Sequence, residues 1–175
     1  MRYAYYARLG KAAKATYRRS DAIAAIPLEN ARRLRAITNR LERNLADENR
    51  KAVETDARAL CKSLAEDIGA PPVLVRVLAV RPSRDWGELH GLYEPVEGRR
   101  RGRITVWMRT ARHKRVVAFR TFLRTLLHEL CHHVDYEVYA LDDSFHTAGF
   151  FKRESSLFKQ LVPDRAESGE RRHAR

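Results

Sequence analysis

Two histidines four residues apart, with a glutamate directly after the first, have the spacing of a metal-binding helix. They are His128, Glu129 and His132, in the run His128-Glu129-Leu130-Cys131-His132. Residues four apart lie on one face of an α-helix, so both imidazoles can reach a single ion. Glu129 lies about 100° around the helix, where its carboxylate can reach a water at the ion's open position. The pattern predicts a zinc site with a general base beside it.

The chemistry of such a site is hydrolysis. Zinc lowers the pKa of a bound water from about 15.7 to about 7. A carboxylate at Glu129 can take the proton and pass it to a leaving amine. The alternative is that the spacing arose by chance, with the imidazoles exposed or hydrogen-bonded within a core.

The surroundings of the motif favour a metal site. An apolar stripe of helical period buries one side of the helix and leaves the histidines facing a cleft. Residues 125–151 contain five acidic residues and no Lys or Arg, although the chain has a formal net charge of +13. The stripe consists of Phe119, Leu123, Leu126, Leu127, Leu130, Val134 and Val138.

A catalytic zinc site keeps three protein ligands, so the motif requires a third residue. Asp135 is two helical turns beyond the first histidine, and we interpret it as a partner that fixes a histidine tautomer. His133 points about 100° away from the second histidine and is interpreted as a surface or supporting residue. Asp142 and Asp143 could act as ligands but have the character of turn residues. His146 opens the next predicted helix, which can return over the site, and is the best candidate.

These residues resemble those of the SprT-like, or Spartan-type, zinc metallopeptidases. In that family H-E-x-x-H is followed, after a variable gap, by a histidine that opens a helix, as in Ser144-Phe145-His146-Thr147-Ala148-Gly149-Phe150-Phe151. The resemblance covers about residues 73–162. It implies that His128, His132 and His146 are ligands and that Glu129 is the catalytic base.

The resemblance also implies a fold and a partner. Family members place helices and a small antiparallel sheet ahead of the metal helix, and several act on proteins bound or crosslinked to DNA. Many carry a separate C-terminal zinc-binding or DNA-binding part. Two cysteines, Cys61 and Cys131, cannot supply a second zinc module of that kind.

The elements that position the motif can be predicted from periodicity. Helices are expected over about 34–49, 53–68 and 116–140, with a last helix after His146 that Pro163 ends. Strands are expected at 73–80, about 88–93 and 103–109. Gly91 inside the second strand predicts a bulge or a close backbone approach, which would suit an edge strand beside a bound peptide.

Together these elements predict an α+β domain, with a small antiparallel sheet packed on the metal helix and the helix after it. The 175 residues suffice for one domain with a core. We predict a basic N-terminal extension (1–20), a helical region (21–72), a zincin-like metallopeptidase core (73–162) and a disordered tail (163–175). The oxyanion stabiliser is not evident, and the candidates are Tyr136, Tyr139 and Arg153.

The charge distribution predicts partners. Residues 1–20 contain six basic residues and no acidic one, interleaved with four tyrosines, and residues 99–124 contain ten basic residues and no acidic one. Both stretches could bind DNA or RNA. The first could equally be a helical extension whose tyrosines pack on the body, and the second could be ordinary solvated charge.

Two cysteines within apparent helices are typical of a reducing compartment. No apolar run is long enough to span a bilayer, and basic residues interrupt the region where a signal peptide would need an apolar segment. We therefore expect a cytoplasmic protein without a membrane partner. The favoured function is zinc-dependent hydrolysis of a protein or peptide substrate. Alternatives are a non-catalytic nucleic-acid-binding protein with a structural zinc site, and a metal-free scaffold with an acidic patch.

Overall fold

The computed structural model describes residues 3–84, 87–98 and 100–163. Within these residues the chain forms a short 3-10 helix at Ala4–Arg8, five α-helices and five strands. The helices are α1 (Lys11–Ala22), α2 (Ala31–Ala46), α3 (Arg50–Ile68), α4 (Phe119–Glu137) and α5 (Ala148–Leu161). The strands are β1 (Leu74–Val80), β2 (Ser83–Arg84), β3 (Gly87–Glu88), β4 (Gly91–Glu94) and β5 (Arg103–Arg109).

The helix α3 shows how local sequence sets an element's limits. Asn49 caps its first turn, because the Asn49 side chain accepts a hydrogen bond from the backbone N–H of Ala52 at 3.2 Å. At the other end Gly69 has a φ of 78°, the left-handed conformation that a glycine adopts without steric cost. The predicted apolar face is confirmed, since Val53, Leu60 and Leu64 are fully buried.

The α+β class is confirmed, but the prediction of an antiparallel sheet is wrong. The three-stranded sheet has the order β1-β5-β4, and β5 pairs with β1 in parallel and with β4 antiparallel. A parallel pair needs a long crossover connection. Here the connection from β1 to β5 contains the β2–β3 hairpin and β4. It brings the chain back to the end of the sheet where β1 begins, so β5 can run in the same direction as β1.

Side chains of α3 close the outer edge of β1. The backbone N–H of Val77 donates to the Glu54 carboxylate at 2.9 Å, and Arg50 donates to the Val77 carbonyl at 2.9 Å. Arg58 donates to the Val75 carbonyl at 2.9 Å. Three backbone groups at this edge are therefore paired with charged side chains of a helix.

Helix α4 lies between the sheet and α5 and contacts β4, β5 and α5. Its apolar residues are part of one core that also includes β1, β5, α2, α3 and α5. Leu123, Leu127, Leu130 and Val134 are fully buried, as the predicted stripe requires. The opposite side of α4 carries the H-E-x-x-H residues.

The N-terminal segment packs on the body of the protein. Tyr17 is fully buried and lies within 6.0 Å of the Phe145 ring, measured between ring centroids. Of the two readings of residues 1–20, the structure shows the packed helical one for the residues it describes. Arg99 and residues 164–175 of the predicted tail lie outside the described residues. No helix in the described part of the chain is long and apolar enough to cross a membrane.

Candidate metal centre

Three imidazoles meet at the surface of α4. His128 and His132 lie one turn apart on α4, and His146 lies in the segment that connects α4 to α5. The Nε2 atom of His146 is 3.0 Å from Nε2 of His128 and 3.1 Å from Nε2 of His132. One nitrogen from each of the three residues lies within 4.8 Å of the others. The structure thus brings together the three histidines that the sequence singled out as ligands.

The outer nitrogen of two of these rings is held by a hydrogen-bond acceptor. The Nδ1 atom of His128 is 3.2 Å from the Glu154 carboxylate. Nδ1 of His132 is 2.7 Å from Oγ of Ser144, and the Ser144 hydroxyl donates to Asp135 at 2.8 Å. Because both acceptors require a proton on Nδ1, the Nε2 atoms of His128 and His132 carry lone pairs.

This donor set fits a zinc ion. Lone pairs that converge at about 3 Å repel one another, and the single Nε2 of His146 cannot donate fully to both neighbours. Zinc binds imidazole nitrogen at about 2.0–2.1 Å in tetrahedral geometry, which places neighbouring nitrogens about 3.3 Å apart. The nitrogen separations of 3.0 and 3.1 Å are close to that value.

The environment keeps two of the imidazoles neutral. Burial, followed by the neighbouring His128 and His146, lowers the pKa of His132 from 6.5 to about 3. Burial and His128 also lower the pKa of His146 from its usual 6.5. Neutral imidazole is the form that binds a metal.

Glu129 lies beside the three histidines on α4 and is only 7% exposed. Burial raises the pKa of its carboxyl and outweighs the lowering by His128 and by a hydrogen bond from the backbone of Tyr93, so that the pKa rises from 4.5 to about 7. Within the described residues no Lys or Arg side chain forms an ion pair with Glu129. In this part of the chain its carboxylate is therefore not tied to a fixed cation.

Gly91 of β4 lies directly against Glu129. A Cβ at this position would clash with Oε1 of Glu129 and would lie 2.8 Å from Cγ2 of Thr125. Of the two predictions for Gly91, the close backbone approach is confirmed. The absence of a side chain lets the β4 backbone reach the helix that carries the motif.

A cleft runs along β4 on both sides of this contact. It consists of two cavities of about 380 and 390 Å³, which share Gly91, His128 and Glu129 in their walls. Leu92 and Tyr93 of β4 continue the wall of the second cavity. The exposed edge of β4 therefore faces the same open space as the three histidines.

Sequence reasoning missed Ser144 and Glu154, which hold the histidine rings. Ser144 looked like part of a turn, and its role depends on the return of the chain to His132. Glu154 could have been found, because it falls in the apolar stripe of α5 between Phe150 and Leu157. A charged residue in an apolar stripe is usually buried for a reason.

The other candidates lie elsewhere. His133 is fully buried rather than exposed, with its ring nitrogens 3.0 Å from the Tyr93 hydroxyl and 2.9 Å from the Pro71 carbonyl. Asp142 accepts a hydrogen bond from Thr16 at 3.1 Å. Neither residue belongs to the convergent cluster, which consists of His128, His132 and His146.

Two of the three oxyanion candidates make polar contacts away from the three histidines. Arg153 is completely buried and donates to Asp135 at 2.7 Å, so it faces the core and not the cleft. The Tyr136 ring lines the second cavity, but its hydroxyl bonds to Asp143 and to the backbone of Ser144. The third candidate, Tyr139, packs its ring under the guanidinium of Arg153. These contacts give Arg153 and Tyr136 structural roles.

Comparison with known proteins gives no relative for this chain: no family model, no curated protein and no solved structure matches it.

Proposed function

We propose that this protein is a zinc-dependent metallopeptidase of the SprT-like type. The observation that carries the proposal is the convergence of three Nε2 atoms, two of them held as lone-pair donors, beside a carboxylate that has no ion pair among the described residues. Zinc is favoured over other metals because three imidazoles and one open position are typical of catalytic zinc. The contacts of α4 with β4, β5 and α5 support the predicted packing of a metal helix between the sheet and the following helix.

Each residue has one role in this proposal. His128, His132 and His146 hold the ion, which when bound supplies a Lewis acid for the scissile carbonyl and an acidic water. Glu129 accepts the proton from the attacking water and delivers it to the leaving amine. The low exposure of Glu129 keeps bulk water from competing for that proton.

The exposed edge of β4 gives the substrate a place to lie. An extended peptide can add to a free strand edge through main-chain hydrogen bonds. The contact between Gly91 and Glu129 brings that edge next to the proposed base. Recognition through main-chain atoms favours unfolded proteins and exposed loops as substrates.

Replacing Glu129 by Gln tests the proposal. The amide has nearly the shape of the carboxylate but cannot accept the proton. We expect cleavage of an unstructured protein such as casein to fall by at least about a hundredfold, while zinc content and folding are retained. Cleavage at the wild-type rate by Glu129→Gln would rule out this residue as the base. A zinc-loaded wild-type protein that cleaves nothing would favour the structural-zinc alternative.

We also propose DNA or RNA as a partner that brings substrates to the enzyme. Support comes from the exposed basic residues of the 99–124 run, a stretch that contains no Asp or Glu. Arg109 pairs with Glu48 and Arg103 with Glu94, so these two contribute less. Among the described residues of this run, the exposed basic ones are Arg100, Arg101, Arg112, Lys114, Arg115 and Arg120.

A salt titration tests this partner. If about five basic residues contact phosphates, log affinity against log salt should have a slope of roughly −4 to −5. Replacing Arg100 and Arg101 by Glu should flatten the slope by about two. The same reversal at exposed Arg32 and Arg33 on α2 serves as a charge-matched control. No binding of single- or double-stranded oligonucleotides at low salt would contradict the proposed partner and leave the metal site untouched.

A further inference from the structure

The connection between α4 and α5, residues 139–147, carries His146 and Ser144, and we refer to it as the ligand loop. Helix α4 holds only part of it. The backbone N–H of Leu141 donates to the Asp135 carbonyl at 3.0 Å, and the Ser144 hydroxyl donates to the Asp135 carboxylate. These contacts fix the loop near Ser144, so the position of His146 itself must depend on other parts of the chain.

Helix α1 contacts the ligand loop at its start and at its end. Arg19 donates to the carbonyls of Tyr139 and Ala140 at 3.0 and 3.4 Å. Ala140 has a φ of 46°, a region unfavourable for a residue with a Cβ, so this turn needs such support. At the end of the loop the hydroxyls of Ser20 and Thr147 are 3.3 Å apart, and both residues are fully buried.

The middle of the loop is held by Thr16 and Tyr5. The buried Thr16 donates its hydroxyl to the Asp142 carboxylate at 3.1 Å. Tyr5, in the short 3-10 helix, donates its hydroxyl to the backbone carbonyl of His146 at 3.2 Å. The Tyr5 ring also stacks on Phe145, with 6.3 Å between the ring centroids.

The same segment sets the start of α5. The Asp21 carboxylate accepts a hydrogen bond from the backbone N–H of Gly149 at 2.9 Å. The approach is close, since a Cβ at Gly149 would lie 2.5 Å from the Asp21 carbonyl oxygen. Arg153 of α5 donates to the Ser20 carbonyl at 2.6 Å and to Asp135 at 2.7 Å. One buried guanidinium thus links α1 to the carboxylate that orients His132 through Ser144.

We propose that residues 3–22 act as a positioning element of the metal centre. They hold the ligand loop so that His146 meets the two histidines of α4. Tyr5, Thr16, Arg19 and Ser20, which contact the ligand loop, are then part of the site, whereas side chains of the segment without such a contact are not required for it. The proposal rests on the ligand role of His146 in the proposed function. It implies that loss or displacement of this segment weakens metal binding without any change in the H-E-x-x-H helix.

The test uses the full chain with Tyr5→Phe and Thr16→Val, which remove two hydroxyls and keep the side-chain shapes. Zinc affinity is measured by chelator competition, and hydrogen exchange of residues 139–147 is measured in zinc-free protein. We expect about tenfold weaker zinc binding, as two lost hydrogen bonds allow, and faster exchange confined to the ligand loop. Thr16→Ser keeps the hydroxyl and should match the wild type, as should Lys11→Ala at an exposed position of α1.

Zinc affinity and loop exchange that are both unchanged in the double variant would overturn the positioning role. Exchange that is faster throughout the protein would also overturn it, because the effect would then be general destabilisation. If the wild type binds no zinc, the proposed function fails, and the exchange experiment alone decides whether residues 3–22 hold the loop.

Discussion

The two outer strands of the sheet, β1 and β4, differ in what lies against their outward edges. At β1, charged side chains of α3 take the outward-facing backbone groups, as in the pair between the Val77 N–H and Glu54 at 2.9 Å. At β4, the outward side faces a cleft, where the backbone of Tyr93 bonds to Glu129. An unpaired edge is a liability that proteins usually cover. Side chains of α3 cover the β1 edge, whereas the β4 edge has Glu129 as a partner and lies beside three convergent histidines.

On the proposed function, the edge of β1 is structural and the edge of β4 is where a substrate lies. Glu54, Arg50 and Arg58 stabilise β1, and their loss should affect folding more than any activity. Gly91 and Glu129 are in contact at β4, and changes there should affect activity more than folding. A loss of activity without a loss of stability at the β1 edge, or no loss of activity at the β4 edge, would contradict this division.

The largest effect is expected from Gly91→Ala. The new methyl group would clash with the Glu129 carboxylate and the Thr125 side chain, so β4 and Glu129 must move apart. Because misplacement of a reacting group by about 1 Å can cost about a hundredfold, we expect cleavage of casein to fall by about that factor. Zinc content should be retained, since no histidine is displaced.

Gly10→Ala is the matched control, because a Cβ at Gly10 meets no atom within 4 Å. It should cleave at the wild-type rate. A Gly91→Ala variant as active as the wild type would show that the close approach of β4 to Glu129 has no role in catalysis.

A smaller effect is expected from Glu54→Ala at the β1 edge. The change removes the acceptor of the Val77 N–H and the ion pair with Arg58 at 2.6 Å. We expect the free energy of unfolding to fall by about 1–2 kcal/mol, which lowers Tm by roughly 2–8 °C for a chain of this size. The cleavage rate per folded molecule, measured well below Tm, should stay within about twofold of the wild type. A large loss of activity with unchanged Tm would contradict the division between the two edges.

Local pattern was enough to predict much of this fold. Strand β5 was expected at 103–109 and is found at Arg103–Arg109, and the end of α3 follows from one glycine. The direction of strand pairing was not predictable in this way. Each strand has the same alternation in a parallel or an antiparallel sheet, and the choice depends on where the intervening hairpin and β4 pack.

For the candidate site too, the sequence predicted what depends on local spacing and not what depends on the tertiary fold. Spacing on one helix predicted that His128 and His132 share a face, and the expected return of the next helix predicted that His146 joins them; the structure brings the three rings together. The residues that orient these rings were not found, because Ser144 and Glu154 reach them only through the tertiary fold. Arg153 was a candidate oxyanion stabiliser, whereas it is buried and joins α1 to Asp135.

The metal content of protein purified without added zinc tests the central claim most directly. Mass spectrometry of the wild type should find about one zinc per chain. His146→Ala should lose that zinc while the far-UV circular dichroism stays unchanged, and His113→Ala, at an exposed histidine outside the cluster of three, should keep it. A wild-type chain that is folded but contains no zinc, and takes up none when zinc is supplied, would contradict the account.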